Sequence, residues 1–218
     1  RDSVIHIVGK SYSNHPNVPI LVICPVTYPA RIGSTSLTRP TCYSSTSVFR
    51  LYYVAYMAAS RHDIITLPHA SLRKRSSKVH IITDETLELI ADMKQAAVDW
   101  EDSRPHEIAV ALAAVQIDRL ERIVIVRGNF EDKADRSFVT LINPEIAKYE
   151  GDIITDHEGC LSVKGFYGHV PRYDKVRVKA LNEQGEQIRT RASGFLARVL
   201  QHEVDHTNGI CFVDHISE

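Results

Sequence analysis

The stretch Gln201-His202-Glu203-Val204-Asp205-His206, close to the end of the 218-residue chain, contains the pattern H-E-x-x-H. Histidines four residues apart project from one face of a helix, so both imidazoles can bind one metal ion while the intervening glutamate reaches a nearby water molecule. The pattern fixes only three residues, and on many helices such histidines merely pack or cap. By itself it leaves two hypotheses open, a metal site and an ordinary packed helix.

The helix predicted around this stretch favours the metal site. It begins at Ser193-Gly194 and ends near Asn208-Gly209. Four of its residues share one face, at positions i, i+4, i+7 and i+11: Phe195, Val199, His202 and His206. Because imidazoles on an apolar face need a polar partner, one shared metal ion satisfies both histidines more readily than two separate hydrogen bonds.

An upstream segment, Glu158-Gly159-Cys160-Leu161-Ser162, offers a third ligand. The Cys160 thiolate and two imidazoles can hold one divalent transition metal and leave a position open for water. Such an open site is typical of catalysis, so the sequence predicts a metal-dependent hydrolase in which Glu203 carries protons. The donor set alone does not distinguish iron from zinc or nickel.

A third segment, residues 109–116, is a run of small and apolar residues that ends in Gln116. Small side chains let a substrate lie close to the backbone, and the Gln116 amide would then donate a hydrogen bond to a developing oxyanion. A packed strand with an amide at its end explains this segment equally well.

Together, the three segments resemble the peptide deformylase family, whose members carry G-x-G-x-A-A-x-Q, E-G-C-L-S and Q-H-E-x-D-H in this order. The second and third patterns match without departure at residues 158–162 and 201–206. The resemblance extends from about Ile64 to Asp214. In the first pattern, Ala109 and Ala111 stand where the family usually has glycines. We expect the methyl group of Ala111 to narrow the substrate cleft or to shift the substrate within it.

The resemblance implies an α+β fold, with antiparallel sheets around the central helix that carries the H-E-x-x-H motif. It implies removal of the formyl group from the formyl-methionine that begins newly made polypeptides, with release of formate, at the ribosome exit. The implied metal is Fe(II), held by Cys160, His202 and His206, although Zn or Ni can occupy the same ligands.

The resemblance also implies the roles of individual residues. Glu203 transfers the proton, while the Gln116 side chain and the Leu161 backbone N–H stabilise the oxyanion; Glu158 and Arg172 support the site. The pocket for the methionine side chain is implied to contain Val110, Phe195, Val199 and His202, and the backbone at Ala111 is implied to lie beside the bound peptide. From the residues alone, the two valines and Phe195 would be assigned to the core.

Periodicity predicts the remaining elements. A helix capped by Thr83 would bury the stripe Leu89, Met93, Ala96 and Trp100. Strands are predicted at residues 122–126 and 138–142, the second ended by Asn143-Pro144. Residues 176–181 and 186–190 alternate in polarity around Asn182-Glu183-Gln184-Gly185, which predicts a β-hairpin.

Composition indicates a modest soluble enzyme. The chain has 44% hydrophobic residues and a net charge of -1, which makes no case for binding nucleic acid. Its four cysteines, Cys24, Cys42, Cys160 and Cys211, lack disulfide-scaffold spacing, so a reducing compartment, the cytoplasm, is expected. The best apolar stretch of the N-terminal part, residues 18–26, is interrupted by two prolines and too short to span a membrane.

Residues 1–56 fall outside the family resemblance. They carry five basic groups and one acidic group and are rich in Ser, Thr, Tyr and Pro. Three interpretations compete: an organelle transit peptide, a small accessory region, or sequence upstream of a true start at Met57. We favour the last, with residues 1–56 as a poorly ordered extension and residues 57–218 as one catalytic domain.

Two other functions remain open at this stage. A zinc-dependent peptidase would share the H-E-x-x-H pattern and Glu203, but it does not predict Glu-Gly-Cys-Leu-Ser. A non-catalytic, metal-stabilised binding protein would explain alanine at positions 109 and 111. Release of formate, internal peptide cleavage, or neither would separate the three.

Overall fold

The computed structural model describes the backbone of residues 3–6 and all atoms of residues 58–216. The chain divides into two compact units, Arg1–Ile23 with Ala58–Glu218, and Cys24–Met57. Every described residue belongs to the first unit. The predictions for most of residues 1–56 therefore lie outside the described residues and stay predictions.

The described residues form two long helices and one sheet. The elements are β1 (Ser3–His6), α1 (Asp84–Asp102), β2 (Ala111–Ala113), β3 (Ile123–Arg127), β4 (Phe138–Cys160), β5 (Val163–Leu181), β6 (Gln187–Ser193) and α2 (Gly194–Thr207). The strand order is β1-β6-β5-β4-β3-β2, with antiparallel pairing from β2 to β6 and β1 parallel to β6. The predicted α+β class is confirmed. None of the described helices has the length and apolar character required to span a bilayer.

Strand β3 explains where the two helices pack. All five of its residues are buried; the first four alternate between hydrophobic clusters on opposite faces of the sheet, and Arg127 is buried in an ion pair with Glu101. Ile123 and Ile125 belong to the cluster that contains the apolar stripe of α1. Val124 and Val126 belong to the cluster that contains the apolar residues of α2. Strand β3 thus packs on one face with α1 and on the other with α2, the helix that carries the H-E-x-x-H motif.

Helix α1 confirms the predicted cap and stripe. Thr83 is its N-cap, and the Thr83 side-chain oxygen accepts a hydrogen bond from the backbone N–H of Thr86. The predicted stripe faces the core, with Leu89, Met93 and Ala96 fully buried and Trp100 half-buried.

The strand predictions differ in outcome. The strand predicted at 122–126 and the hairpin around residues 182–185 are confirmed. The prediction that Asn143-Pro144 ends a strand is wrong, because β4 continues through this point with a shift of register. Asn143 has φ 54°, and its side chain bonds both the N–H and the C=O of Val79. The dipeptide therefore marks a β-bulge anchored by a distant segment.

Helix α2 has the predicted limits, and its end is set by Gly209. The N–H of Gly209 donates to the carbonyl of His206, and the N–H of Ile210 donates to the carbonyl of Asp205, which is a Schellman motif. Gly209 has φ 78°, and a Cβ there would lie 2.7 Å from the carbonyl oxygen of Arg73. Only glycine fits this position, so the turn that carries His206 has a fixed end.

Candidate metal centre

Three predicted ligand atoms converge where the end of β4 meets α2. Cys160 Sγ lies 3.2 Å from His206 Nε2, which lies 3.1 Å from His202 Nε2. All three donor atoms are within 4.8 Å of one another. His206 is fully buried and His202 is 9% exposed. The structure thus brings together the three residues that the two sequence motifs predicted.

The geometry and chemistry of these donors fit a metal ion. Metal–nitrogen and metal–sulfur bonds of about 2.0–2.3 Å put tetrahedral ligand atoms roughly 3.3–3.6 Å apart, close to the two short separations found here. Two buried atoms beside the donors, Glu203 Oε2 and His206 Nδ1, have no hydrogen-bond partner among the described residues. Since a buried carboxylate oxygen rarely lacks a partner, a free acceptor here fits a site that holds a ligand or water.

Glu158 fixes the orientation of His202. A carboxylate can only accept, so His202 Nδ1 donates to Glu158 Oε2 at 2.9 Å and His202 Nε2 faces the other two donors. Arg172 and Arg198 each donate to Glu158, at 2.9 and 2.8 Å for the shortest bonds. Burial opposes ionisation, but the hydrogen bonds from His202 and Arg172 outweigh it and lower the pKa of Glu158 to about 2. Glu158 therefore stays anionic.

The two imidazoles respond differently to this environment. Burial lowers the pKa of His202, but the hydrogen bonds with Cys160 and Glu158 outweigh it and raise this pKa to about 10. Burial and the neighbouring charge of His202 hold the pKa of His206 well below its usual value. The Cys160 and Glu158 side chains therefore favour a positive charge between them, and metal binding would be linked to release of a proton.

Glu203 has a pKa suited to proton transfer. The side chain is 5% exposed and borders the cleft in front of the donors. Burial raises the pKa of Glu203 to about 7, although the charge of His202 opposes this. A carboxyl group with a pKa near neutrality can both accept and return a proton.

Gln116 directs its amide into the same cleft. Its Oε1 accepts from the backbone N–H of Ala113 at 2.8 Å, so its Nε2 is the group that points towards the site. Nε2 lies 3.2 Å from Ser162 Oγ and 3.6 Å from Cys160 Sγ. The predicted amide donor therefore lies beside the predicted thiolate ligand.

The segment before α1 supports these groups through its backbone. The N–H of Ile65 donates to the carbonyl of Gln116 at 2.8 Å, and the N–H of Leu67 donates to the carbonyl of Ser162 at 2.9 Å. Sequence reasoning assigned no role to Ser162, although the residue lies inside a recognised motif. It also assigned no role to Arg198. The one sequence feature that could have indicated a role is that this basic residue precedes His202 by one helical turn.

A cavity of about 300 Å³ opens in front of the metal ligands. The residues predicted for catalysis and substrate binding all border it: Glu203, Gln116, Leu161, Val110, Ala111, Phe195 and Val199. Phe195 is 38% exposed, so its assignment to the core from residue type alone is wrong. Besides Arg198, five further lining residues lie outside every motif. Trp100 was predicted only as part of the buried stripe of α1, and no sequence pattern marked the other four, Glu107, Ile108, His157 and Tyr167.

Comparisons with known proteins identify similar chains. The family model described as polypeptide deformylase matches residues 61–218. A peptide deformylase of Thermomicrobium roseum is 40% identical over 158 residues, which cover 71% of this chain and 85% of the relative. The crystal structure of a peptide deformylase from Synechococcus elongatus in complex with actinonin aligns with a TM-score of 0.63 at 32% identity, covering 71% of this chain and 78% of that one. A plant peptide deformylase structure aligns with a TM-score of 0.64 at 26% identity, covering 71% and 80%.

Proposed function

Because this chain belongs to the peptide deformylase family and has the Cys/His/His metal site, its activity is that of a peptide deformylase (EC 3.5.1.88), and we propose how its own residues perform the reaction. The observation that carries the proposal is the buried Oε2 of Glu203, which has no partner among residues 58–216, beside three converging donor atoms. The experiment is an anaerobic assay of formate release from formyl-methionyl peptides, with metal analysis of the same sample. Absence of formate release from metal-loaded protein would contradict the proposal.

Cys160, His202 and His206 would hold the metal, and we propose Fe(II) in the cell. When bound, the ion polarises the formyl carbonyl and lowers the pKa of an adjacent water molecule. The donor set, one thiolate and two imidazoles, also accepts Zn or Ni. Metal analysis after anaerobic purification distinguishes these ions.

Glu203 would accept the proton of the attacking water and deliver it to the nitrogen of the departing amine. Formate then leaves and the peptide keeps a free α-amino group. The pKa of about 7 supports this double role, because neither protonation state is strongly disfavoured near neutral pH. Its Oε2, which has no partner in the part of the chain that the structure describes, supplies the free acceptor that the first step requires.

The oxyanion that develops on the formyl oxygen would receive hydrogen bonds from Gln116 Nε2 and the Leu161 N–H. Gln116 is preoriented by its bond to Ala113, so its amide needs no reorganisation when charge develops. Leu161 directly follows the ligand Cys160 and borders the same cavity. Both donors would thus approach the formyl group from the side of the thiolate.

The methionine side chain of the substrate would enter the apolar part of the cavity. Val110, Phe195 and Val199 border it, and Phe195 packs edge-on against Phe130 with ring centroids 5.5 Å apart. That contact supports Phe195 as a fixed wall for an unbranched side chain. The substrates proposed are formyl-methionyl nascent peptides at the ribosome exit.

Replacing Ala111 by glycine is expected to raise kcat/KM severalfold, up to about tenfold, the scale of one methyl group in a binding pocket. Ala111 borders the cavity from strand β2, where its methyl group limits how closely a peptide can approach. Glycine should also reduce stability by about 0.5–1 kcal/mol. The measurement is kcat/KM with a formyl-Met tripeptide, together with thermal unfolding.

Ala113→Gly is the matched control for this prediction. Ala113 lies on the same strand and in the same hydrophobic cluster as Ala111, but it does not border the cavity. It should lose stability without gaining kcat/KM. A fall in kcat/KM for Ala111→Gly with folding intact would mean that the cleft is adapted to alanine.

We propose that the catalytic domain begins at Met57. A chain that starts there is expected to keep its metal content and deformylase activity and to unfold at a similar temperature. The two hydrophobic clusters consist of residues 64–200, and β1 adds only four paired residues at the outer edge of β6. A fall in Tm of more than about 10 °C, or loss of metal, would contradict it, since each kcal/mol shifts Tm by about 2–4 °C at this size.

The compartment proposed is the cytoplasm, or an organelle if residues 1–56 act as a transit peptide. The metal-binding thiolate supports a reducing environment in either case. Expression of the full chain fused to a fluorescent protein, compared with the chain starting at Met57, distinguishes the two compartments.

A further inference from the structure

A second cavity, of about 350 Å³, lies at the C-terminal end of α2. It shares no lining residue with the cavity in front of the metal ligands. It is bordered by the segment that follows Arg73, by the β-bulge of β4 and by the residues that end α2. Three of its lining residues are cations, Arg75, Lys78 and Arg122, and one is an acid, Glu145. This charge composition points to an anionic ligand.

Arg122 is a buried and rigidly held cation in this cavity. Only 7% of the residue is exposed. Its Nε donates to the carbonyl of Pro144 at 3.2 Å, and its Nη1 donates to the carbonyl of Thr207 at 3.3 Å and to Asn208 Oδ1 at 2.9 Å. Its Nη2 donates to no described residue, and the side chain lines the cavity. One nitrogen of a preoriented guanidinium is therefore available to a ligand.

The other two cations lie at the rim without a counter-ion. Arg75 and Lys78 are exposed, and neither has a carboxylate within ion-pair distance among residues 58–216. The single lining acid, Glu145, is already paired with Lys179 at 3.2 Å. Burial and the charge of Arg75 lower the pKa of Arg122, and the opposing charge of Glu145 is too weak to reverse this. The positive potential of the cavity is thus not neutralised from within the protein.

We propose that this cavity is a binding site for a terminal phosphate group, carried by a small molecule or free in solution. A phosphate dianion offers several acceptor oxygens, which suits one fixed guanidinium at depth and two flexible cations at the rim. A terminal group can enter the recess and reach Arg122. A phosphodiester within an RNA strand continues on both sides, so it fits a recess less well than a flat basic surface.

The end of α2 does not cancel this potential. Its carbonyl groups carry partial negative charge, but Arg122 Nη1 binds the carbonyl of Thr207 and the Schellman motif satisfies those of Asp205 and His206. Arg122 also stabilises this helix end, so its removal could unfold the protein. The test therefore leaves Arg122 in place and changes the rim.

The experiment titrates the full chain with inorganic phosphate and pyrophosphate while ¹H–¹⁵N spectra are recorded. We expect saturable shifts of the backbone amides of residues 75–78 and of the Arg122 Nε–H. The double variant Arg75→Gln, Lys78→Gln should bind about tenfold more weakly or worse, because two of three cations are lost. Because both substitutions change exposed side chains, the Tm of the double variant should stay close to that of the unchanged chain.

Lys164→Gln combined with Arg189→Gln is the matched control. These residues are exposed cations that border neither cavity, and their replacement removes the same total charge. The control should bind phosphate as the unchanged chain does. Equal weakening in both double variants, or shifts that do not saturate, would overturn the proposal in favour of general charge attraction. Binding of a short RNA oligomer but of neither phosphate nor pyrophosphate would overturn the small-ligand assignment.

Discussion

Cys160→Ala and His206→Ala should each lose most of their bound metal and essentially all formate release. Each change removes one of three donor atoms that lie within 4.8 Å of one another, so the site drops from three protein ligands to two. Loss of a supporting contact around a metal ligand already costs about 10–100-fold in affinity, and loss of a ligand should exceed that. The measurement is metal stoichiometry after anaerobic loading and dialysis, together with turnover of a formyl-Met peptide.

Cys211→Ala serves as the matched control. Cys211 is also a free cysteine, fully buried where Cys160 is half-buried, and it does not belong to the group of converging donors. Burial raises the pKa of Cys211 to about 11, so it remains a neutral thiol and a poor ligand. The control should keep one metal ion per chain. Stoichiometric metal in the Cys160→Ala chain would rule out the three-ligand site.

The metal ligands were predictable because each lies in a contiguous motif whose geometry is local. Helical spacing puts His202 and His206 on one face whatever the rest of the fold does. Glycines with positive φ at both ends, Gly194 and Gly209, fix where that helix begins and ends. Cys160 was identifiable only as part of a second recognised segment, since nothing local shows that it meets the helix.

Glu158 and Arg172 were expected from the family resemblance and do support the site, but the other supporting contacts were not predictable, because they depend on pairings between distant residues. Asn143 looked like the end of a strand, but its side chain bonds Val79, which lies 64 residues away, and the strand continues. Arg127 and Glu101 form an ion pair at 2.9 Å with exposures of 0% and 1%, and Glu101 also accepts from the N–H of Ala109. This pair connects the end of α1 to the start of residues 109–116, some of which line the cavity. Nothing in the sequence indicated that either of these charged side chains would be buried.

Replacing Glu203 by glutamine separates proton transfer from binding. Glutamine has nearly the same size and cannot accept the proton, and Glu203 is not among the three ligands. We expect normal metal content, unchanged affinity for a non-hydrolysable formyl-peptide analogue, and a fall in kcat by a factor of about 10²–10⁴. Single-turnover formate release and calorimetric titration with the analogue measure the two parts.

Glu107→Gln makes the same chemical change in the same cleft and is the control. Glu107 borders the cavity, but it is exposed and pairs with Arg104, so its replacement should leave kcat within a few-fold. The contrast depends on the buried Oε2 of Glu203, which has no partner among the described residues and is therefore free to take a proton. If Glu203→Gln lost its metal, Glu203 would have to be a ligand or an indispensable support. If it kept a near-normal kcat, another group would be moving the proton.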